Sequence, residues 1–389
     1  MRSVGLDLGA RHIAFCEVRD GAVVRKASFR RLSDVKTVLG PDSDPARVAF
    51  EACREGWHVY DKLKEWGHEP LMVDTTRVRR LGIGQHGRKN DAIDAEVIAL
   101  ALDRGGLPLA HVLSPARRAL RAKLSVRGEL VDMRARQVTL IRGLARAAGT
   151  PLPSSATTSF LAHLEKAKLD VATRKLIAPL VATLAIAELE IAKVDAELAE
   201  MVTGDTMTTI CATTPGVGII VAASFVSVVD DAKRFRNGDA VGSYLGLAPS
   251  ESTTGGPLNR RLGGITKQGN THARAMLVQA AWQIMRAADA DDPLRKWASQ
   301  VAARRGKKVA AIALARKLAA MLWAMCRDGT VYDPAMAARE SARGIGESVQ
   351  QREAIAEAMA KVAQKRARRS APLAKLRVSQ KKTSLEATA

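Results

Sequence analysis

Apolar and polar positions alternate over short periods through the first hundred residues and over helical periods afterwards. "SVGLDLG" is an apolar run holding one acid and closed by glycine, which predicts a strand. "HIAFCEV", "RDG" and "AVVRKASF" then spell strand, tight turn, strand. "RVAFEAC" (47–53) predicts another strand, "WHVYDKLKEWG" an amphipathic helix and "PLMVD" a further strand. The alanine- and leucine-rich run from Asn90 to about Arg104 predicts a helix. Hairpin strands followed by αβ units imply a mixed sheet with flanking helices, an α/β domain.

From Ser114 the spacing changes. Leu120, Leu124, Val131, Val138, Ile141 and Ala145 recur at spacings of three, four and seven. Arg117, Arg118, Arg121, Arg127, Arg134, Arg142 and Arg146 are interspersed, which predicts a long helix with an apolar seam and a basic side. "GTPLPSS" breaks it, and a second helical stretch runs from about Ser159 to Met201. Two readings of the pair stand open: a coiled-coil spacer or oligomerisation arm, and an ordinary helical hairpin. A third unit begins near Thr206, where "TTPGVGIIVAASFVSVV" predicts helix, Pro-Gly-Val-Gly hairpin, helix. Amides in such a turn suit a DNA phosphate, and the glycines serve a purely structural turn equally well. "GSYLGLAPSESTTGGPLNRRLGGITKQGN" follows as a glycine- and hydroxyl-rich loop region, then two helices to about residue 328. The tail from Lys361 to Ser384 carries nine Lys/Arg and no acid, a solvated arm for backbone attraction. The expected domains are 1–112, 113–203, 204–332 and a basic tail, 333–389.

Composition narrows the partner. The chain has 389 residues, 47% of them apolar and 4% aromatic, enough to bury cores of closely packed helices. Lys plus Arg number 61 against 40 acids, a formal charge of +21, which favours a nucleic acid over membrane lipid or an acidic protein. No window reads as a membrane span, and the run 217–229 reads as a core segment. Asp7 and Arg11 interrupt the N-terminus, so no signal peptide is expected and the location expected is cytoplasmic. Cys16, Cys53, Cys211 and Cys326 show no CxxC spacing and read as buried thiols. His12, His86 and His272 show no ligand spacing either.

The candidate chemistry lies in four acids. Asp7 and Glu51 each end a predicted strand, and Asp91 and Asp94 share one face of a helix. Such a pair repels by only about 0.2–0.5 kcal/mol on an isolated helix, and a divalent cation reverses the sign. Carboxylate oxygens suit Mg²⁺, and two metals about 4 Å apart stabilise attacking and leaving oxygens in phosphodiester cleavage. The plain alternative is that Asp91 caps the helix and Asp94 faces water. Asp7 and Glu51, each closing its own strand, favour the metal reading.

"GLDLG", "FEAC", "KNDAIDA", "TPGVG", "YLGLAPSE" and "GGITKQGN", in this order from residue 3 to about 330, resemble the IS110/IS1111 transposases, also called DEDD transposases. The resemblance implies an N-terminal RNase H-like (RuvC-like) domain whose acids are Asp7, Glu51, Asp91 and Asp94, holding Mg²⁺ or Mn²⁺. It implies a helical or coiled-coil region and a mainly α C-terminal transposase domain with a helix-hairpin-helix-like element. It further implies a DNA recombinase guided by a structured noncoding bridge RNA and assembled as a homo-oligomer, a dimer or tetramer. In that family a serine after "GLxP", next to a glycine, is thought to attack DNA. Here the segment reads Pro249-Ser250-Glu251-Ser252-Thr253-Thr254-Gly255-Gly256, with threonine where serine is usual. Chemistry favours Ser252, register favours Thr253 or Thr254, and a disabled strand exchange is a further reading. Arg260, Arg261, Lys267 and Asn270 are candidates to hold phosphates, and Arg117, Arg118 and Arg121 to contact RNA or DNA. Two other functions compete: a metal-dependent nuclease without a covalent intermediate, and a catalytically silent nucleic-acid-binding protein.

Overall fold

The computed structural model describes residues 1–80, 91–154, 157–252, 261–287, 289–335 and 338. The chain divides into two compact units that part between Leu113 and Ser114. Thr253, Thr254, Arg260, His86 and the tail 339–389 lie outside the described residues.

The first unit opens with a meander: β1 (Arg2–Leu8), β2 (Ile13–Arg19) and β3 (Ala22–Phe29). Asp20 and Gly21 turn the second hairpin at φ 51° and 78°, the two positive values that suit right-twisted strands. Then come α1 (Leu32–Leu39), β4 (Ala46–Glu51), α2 (Gly56–Glu65), β5 (Glu69–Val73), α3 (Thr75–Arg80) and α4 (Asp91–Asp103). The sheet order is β3-β2-β1-β4-β5, antiparallel through β1 and parallel from β1 to β5. Parallel neighbours need crossovers, which α1 and α2 supply. Alternate residues therefore face two helical layers. Val4, Leu6, Val48 and Phe50 pack with Val35, Leu39, Val59 and Leu63 on one face. Ala14, Cys16 and Ala49 meet Ala95, Ile98 and Ala99 of α4 on the other.

Polar groups inside this unit are paired. Arg2 donates to Glu17 through Nε and Nη2 at 3.0 and 3.1 Å, and to the Asp44 and Val38 carbonyls. Burial pushes the Glu17 carboxyl up, but Arg2 and Arg19 outweigh it and hold it below its usual range. His68 is buried, with Nδ1 accepting from the Ala46 amide at 3.2 Å and Nε2 donating to the Leu39 carbonyl at 3.0 Å. That pattern needs the neutral ring, and burial lowers its pKa accordingly.

The second unit begins with α5 (Pro115–Ala147), α6 (Phe160–Lys166) and α7 (Val171–Met201). The single helical stretch expected from Ser159 is thus two helices, because Asp170 caps a new one by accepting from the Thr173 amide at 2.9 Å. α5 and α7 pack antiparallel. Leu120 and Leu124 meet Val194 and Leu198, while Val138 and Ile141 meet Ile177 and Leu184. Lys123 pairs with Glu197 and Arg127 with Asp195 across the seam, so Arg127 of the predicted basic side is spent holding α7.

α8 (Thr206–Ala212), α9 (Ile219–Val229), α10 (Gly238–Tyr244), β6 (Pro249–Ser252), β7 (Arg261–Ile265), α11 (Thr271–Ala287), α12 (Pro293–Arg305) and α13 (Lys307–Asp328) complete the unit. Phe225, Val241, Leu277, Ile284, Leu314, Leu318 and Leu322 form its core. Three helices follow the hairpin where two were expected, since Asp292 caps α12 and Gly306, at φ 83°, separates it from α13. α13 has the length and the mean hydropathy, 1.6, of a membrane-crossing helix, contrary to the expectation that no segment would. Leu314, Leu318, Met321, Leu322, Trp323 and Met325 of this helix are buried in the core that it shares with α8, α10, α11 and α12. Of the four cysteines expected to be buried, Cys53 is exposed and Cys326 half-buried.

Candidate active site

Register and docking position the four acids. Leu6 pairs with Phe50 as the last couple of the parallel β1–β4 ladder, so Asp7 and Glu51 each follow it directly on neighbouring strands. Both lie two residues beyond small residues that face α4: Gly5 and Ala49. A Cβ on Gly5 would stand 2.1 Å from the Ala95 carbonyl oxygen and 2.7 Å from the Ala99 nitrogen. Helix α4 therefore rests on the bare backbone of β1. Asp91 precedes Ala95 by one turn and Asp94 precedes Ile98 by one turn, which carries both acids past the strand ends on the sheet-facing side. Ala95 packs over β2, and Ile98 over β4 and β5. Asp91 is found where this geometry sends it, its Oδ2 3.3 Å from the Cβ position of Gly9. The far end of α4 is tied down as well: Asp103 accepts from Ser3 Oγ at 2.8 Å and from the Gly21 amide at 2.9 Å. Lys26 reaches Glu96 at 2.7 Å.

Two acids in a first helical turn also complement the helix dipole, worth about 0.3–1 kcal/mol each, and that alone explains Asp91 and Asp94 as local features. It does not explain the seating of α4 on Gly5, which leaves Asp91 beside Gly9. Among the described residues no three His, Cys, Asp or Glu side chains stand at metal-coordinating spacing. Asp7 and Glu51 stand at the ends of adjacent parallel strands, and Asp91 and Asp94 lie in the first turn of α4. Asp91 is exposed and Asp7, Glu51 and Asp94 are half-buried. Carboxylate oxygens are, in type, the donors that a hard divalent cation takes.

The hydroxyl-bearing segment is a β-hairpin, where the sequence pattern suggested a loop. Pro249 pairs with Ile265, Glu251 with Leu262 and Ser252 with Arg261, with a bulge between the first two pairs. Ser250 donates to the Gly264 carbonyl at 2.9 Å, so its hydroxyl is spent in the hairpin. Ser252 is exposed at the outer end of β6. The base of the hairpin is interlocked: a Cβ on Gly246 would meet the Gln268 oxygen at 2.3 Å, and one on Gly269 the Tyr244 oxygen at 2.1 Å. Lys267 between them is exposed and held at φ 57°, a left-handed conformation unusual for lysine.

Residues 208–296 match the family described as Transposase IS116/IS110/IS902 family, and residues 4–148 match the DEDD transposases of IS110. A Pseudomonas aeruginosa protein named "Probable family 20 transposase" is 32% identical over 75% of this chain and 86% of its own length. The transposase of insertion sequence IS1328 from Yersinia enterocolitica is 28% identical over 85% of the chain and 98% of its own length. That of IS1111A from Coxiella burnetii is 24% identical, covering 85% and 91%. The chain belongs to the IS110 family of transposases.

This IS110-family transposase spends some of its expected nucleic-acid contacts on its own fold. Arg117 is a correction: its guanidinium grips Asp205 at 2.8 and 2.9 Å, and both side chains are largely buried. Burial would raise the Asp205 carboxyl, but Arg117 and Thr208 outweigh it and hold it low. Asn270 caps α11, its Oδ1 accepting from the Ala273 amide at 2.8 Å. Arg118 and Arg121 are half-buried on α5. Sequence reasoning passed over Gly5 and Gly9. The signal was present in "GLDLGA", where glycines flank Asp7 at i−2 and i+2 and leave the α4 side of the strand bare.

Proposed function

We propose that the transposase cleaves and rejoins DNA at a metal-dependent RuvC-like centre formed by Asp7, Glu51, Asp91 and Asp94. A hydroxyl of the second unit, from Ser252, Thr253 or Thr254, serves as nucleophile. The observation that supports the reading is the seating of α4 on Gly5, with Asp91 Oδ2 3.3 Å from the Cβ position of Gly9, just past the end of β1. The β3-β2-β1-β4-β5 order, with acids at the C-terminal ends of adjacent parallel strands, supports the RNase H-like assignment. Mg²⁺ or Mn²⁺, when bound, polarises the phosphate and steadies charge on the entering and leaving oxygens. The carboxylates orient that phosphate. The hydroxyl oxygen bonds to phosphorus, its proton passes to a base, and the bond to the leaving deoxyribose oxygen breaks as that oxygen takes up a proton.

The net charge of +21 supports a polyanionic partner. Family membership supports guidance by a structured bridge RNA, action in the cytoplasm on chromosomal DNA, and assembly as a dimer or tetramer. The helix–turn–helix of α8 and α9, joined through residues 213–218, supports a helix-hairpin-helix-like phosphate contact. The test is a recombination assay with the flanking noncoding DNA supplied. Asp7→Asn should abolish cleavage, and one of Ser252→Ala, Thr253→Ala or Thr254→Ala should alone abolish a covalent protein–DNA adduct. Cleavage without any adduct makes the protein a nuclease. Activity untouched by Asp7→Asn removes the acids from the chemistry.

A further inference from the structure

Gln279, Trp282, Gln283 and Arg286 recur at helical spacing on one face of α11. With Gly216 and Val221 opposite, they line a cleft of about 610 Å³. That size lies within the range of about 300–1,000 Å³ typical of sites for small ligands. The facing wall is the turn between α8 and α9. Gly216 holds φ 74°, and a Cβ there would stand 2.7 Å from Ile284 Cγ1, so the turn lies directly on α11 and the cleft opens beside it. Arg286 Nε donates to the Trp282 carbonyl at 3.3 Å, which ties the arginine back along its own helix, and the half-buried indole lines the same cleft. Gln279 and Gln283 are exposed and offer amides that both donate and accept.

An aromatic face, two amides and one cation, with no acid among the described lining residues, match the parts of a nucleotide. The indole stacks on the base, the glutamines reach its edge, and the guanidinium takes the phosphate. A duplex keeps its bases stacked on one another, so an aromatic platform selects an unpaired one. Residues 279–286 lie about 12–22 Å along α11 from Thr271, at 1.5 Å per residue, so the cleft is separate from the hydroxyl hairpin. We propose that this cleft binds one unpaired nucleotide of a single-stranded segment of DNA or RNA. The proposal rests on the nucleic-acid reading above.

The test uses the full chain and anisotropy titrations with fluorescein-labelled single-stranded DNA, single-stranded RNA and duplex DNA of mixed sequence. Trp282→Ala, and separately the exposed pair Gln279→Ala with Gln283→Ala, should weaken single-strand binding about 5- to 150-fold at the stacked position. Trp282→Phe should restore most of it, and duplex affinity should stay at the wild-type value. A loss confined to DNA or to RNA supports the cleft and names its strand. Unchanged single-strand affinity in Trp282→Ala and in the glutamine pair overturns it, as does an equal loss on duplex. If the wild type cleaves DNA while these variants bind single strands normally, only the cleft falls. If the wild type binds no nucleic acid, the underlying reading falls with it.

Discussion

Gly5→Ala tests the geometry on which the active site depends, with a substitution two residues from the nearest acid. The added Cβ would lie 2.1 Å from a backbone oxygen of α4, against an ordinary carbon–oxygen approach of about 3.3–3.6 Å. The clashing atoms are main chain, so no side-chain rotation relieves them, and α4 must lift by about 1 Å. Overpacking of this kind costs about 1–3 kcal/mol of stability. The same lift moves Asp91 and Asp94 away from Asp7 and Glu51, and a misplacement of about 1 Å costs on the order of 100-fold in rate. Gly106→Ala is the control, in the same unit and with nothing within 4 Å of its Cβ position. Urea unfolding would report the stability loss. Metal-dependent cleavage, assayed where both variants are fully folded, would report the rate. Gly5→Ala cleaving at the wild-type rate with an unchanged urea midpoint would show that α4 does not set the acid geometry.

Three further outcomes follow from particular contacts. Gly269→Ala should lower the melting temperature and abolish strand exchange, because φ 124° and the 2.1 Å approach to Tyr244 leave no room at the hairpin base; normal exchange would separate hairpin and chemistry. Arg117→Ala should cost about 1–3 kcal/mol at neutral pH by stranding Asp205. Since the folded carboxyl is held low, that contribution is present above about pH 4 and fades as pH falls through the folded pKa. Urea midpoints of wild type and variant should therefore converge in acid, and a constant gap would contradict the assignment. His68 is depressed by burial, so its contribution is full above about pH 6.5 and is lost as pH drops. His68→Ala should flatten the melting profile between pH 8 and 5, and an unaltered slope would exclude this histidine as its source.

Local pattern carries the first unit well. Strands β1 to β5, the Asp20–Gly21 turn and helix α4 are legible because two-residue and 3.6-residue periods are properties of the chain itself. The short helix α1, "LSDVKTVL", escapes notice because eight residues, half of them polar, hold too little periodicity, and only burial of Val35, Val38 and Leu39 against the sheet makes it a helix. The β6–β7 hairpin is hidden by its glycines and hydroxyls, since its pairing is a long-range register with a bulge. Arg117 looks like a free cation until α7 ends and Asp205 returns beside it.

Residue order alone determined the alternating elements, the surplus of positive charge and the identity of four acids at element ends. Tertiary structure decided which acids share an edge, because that depends on the β1–β4 ladder and on a helix seated where a glycine offers no side chain. It also decided which arginines remain for a ligand, because ion pairs form between residues brought close by packing, whatever their separation along the chain.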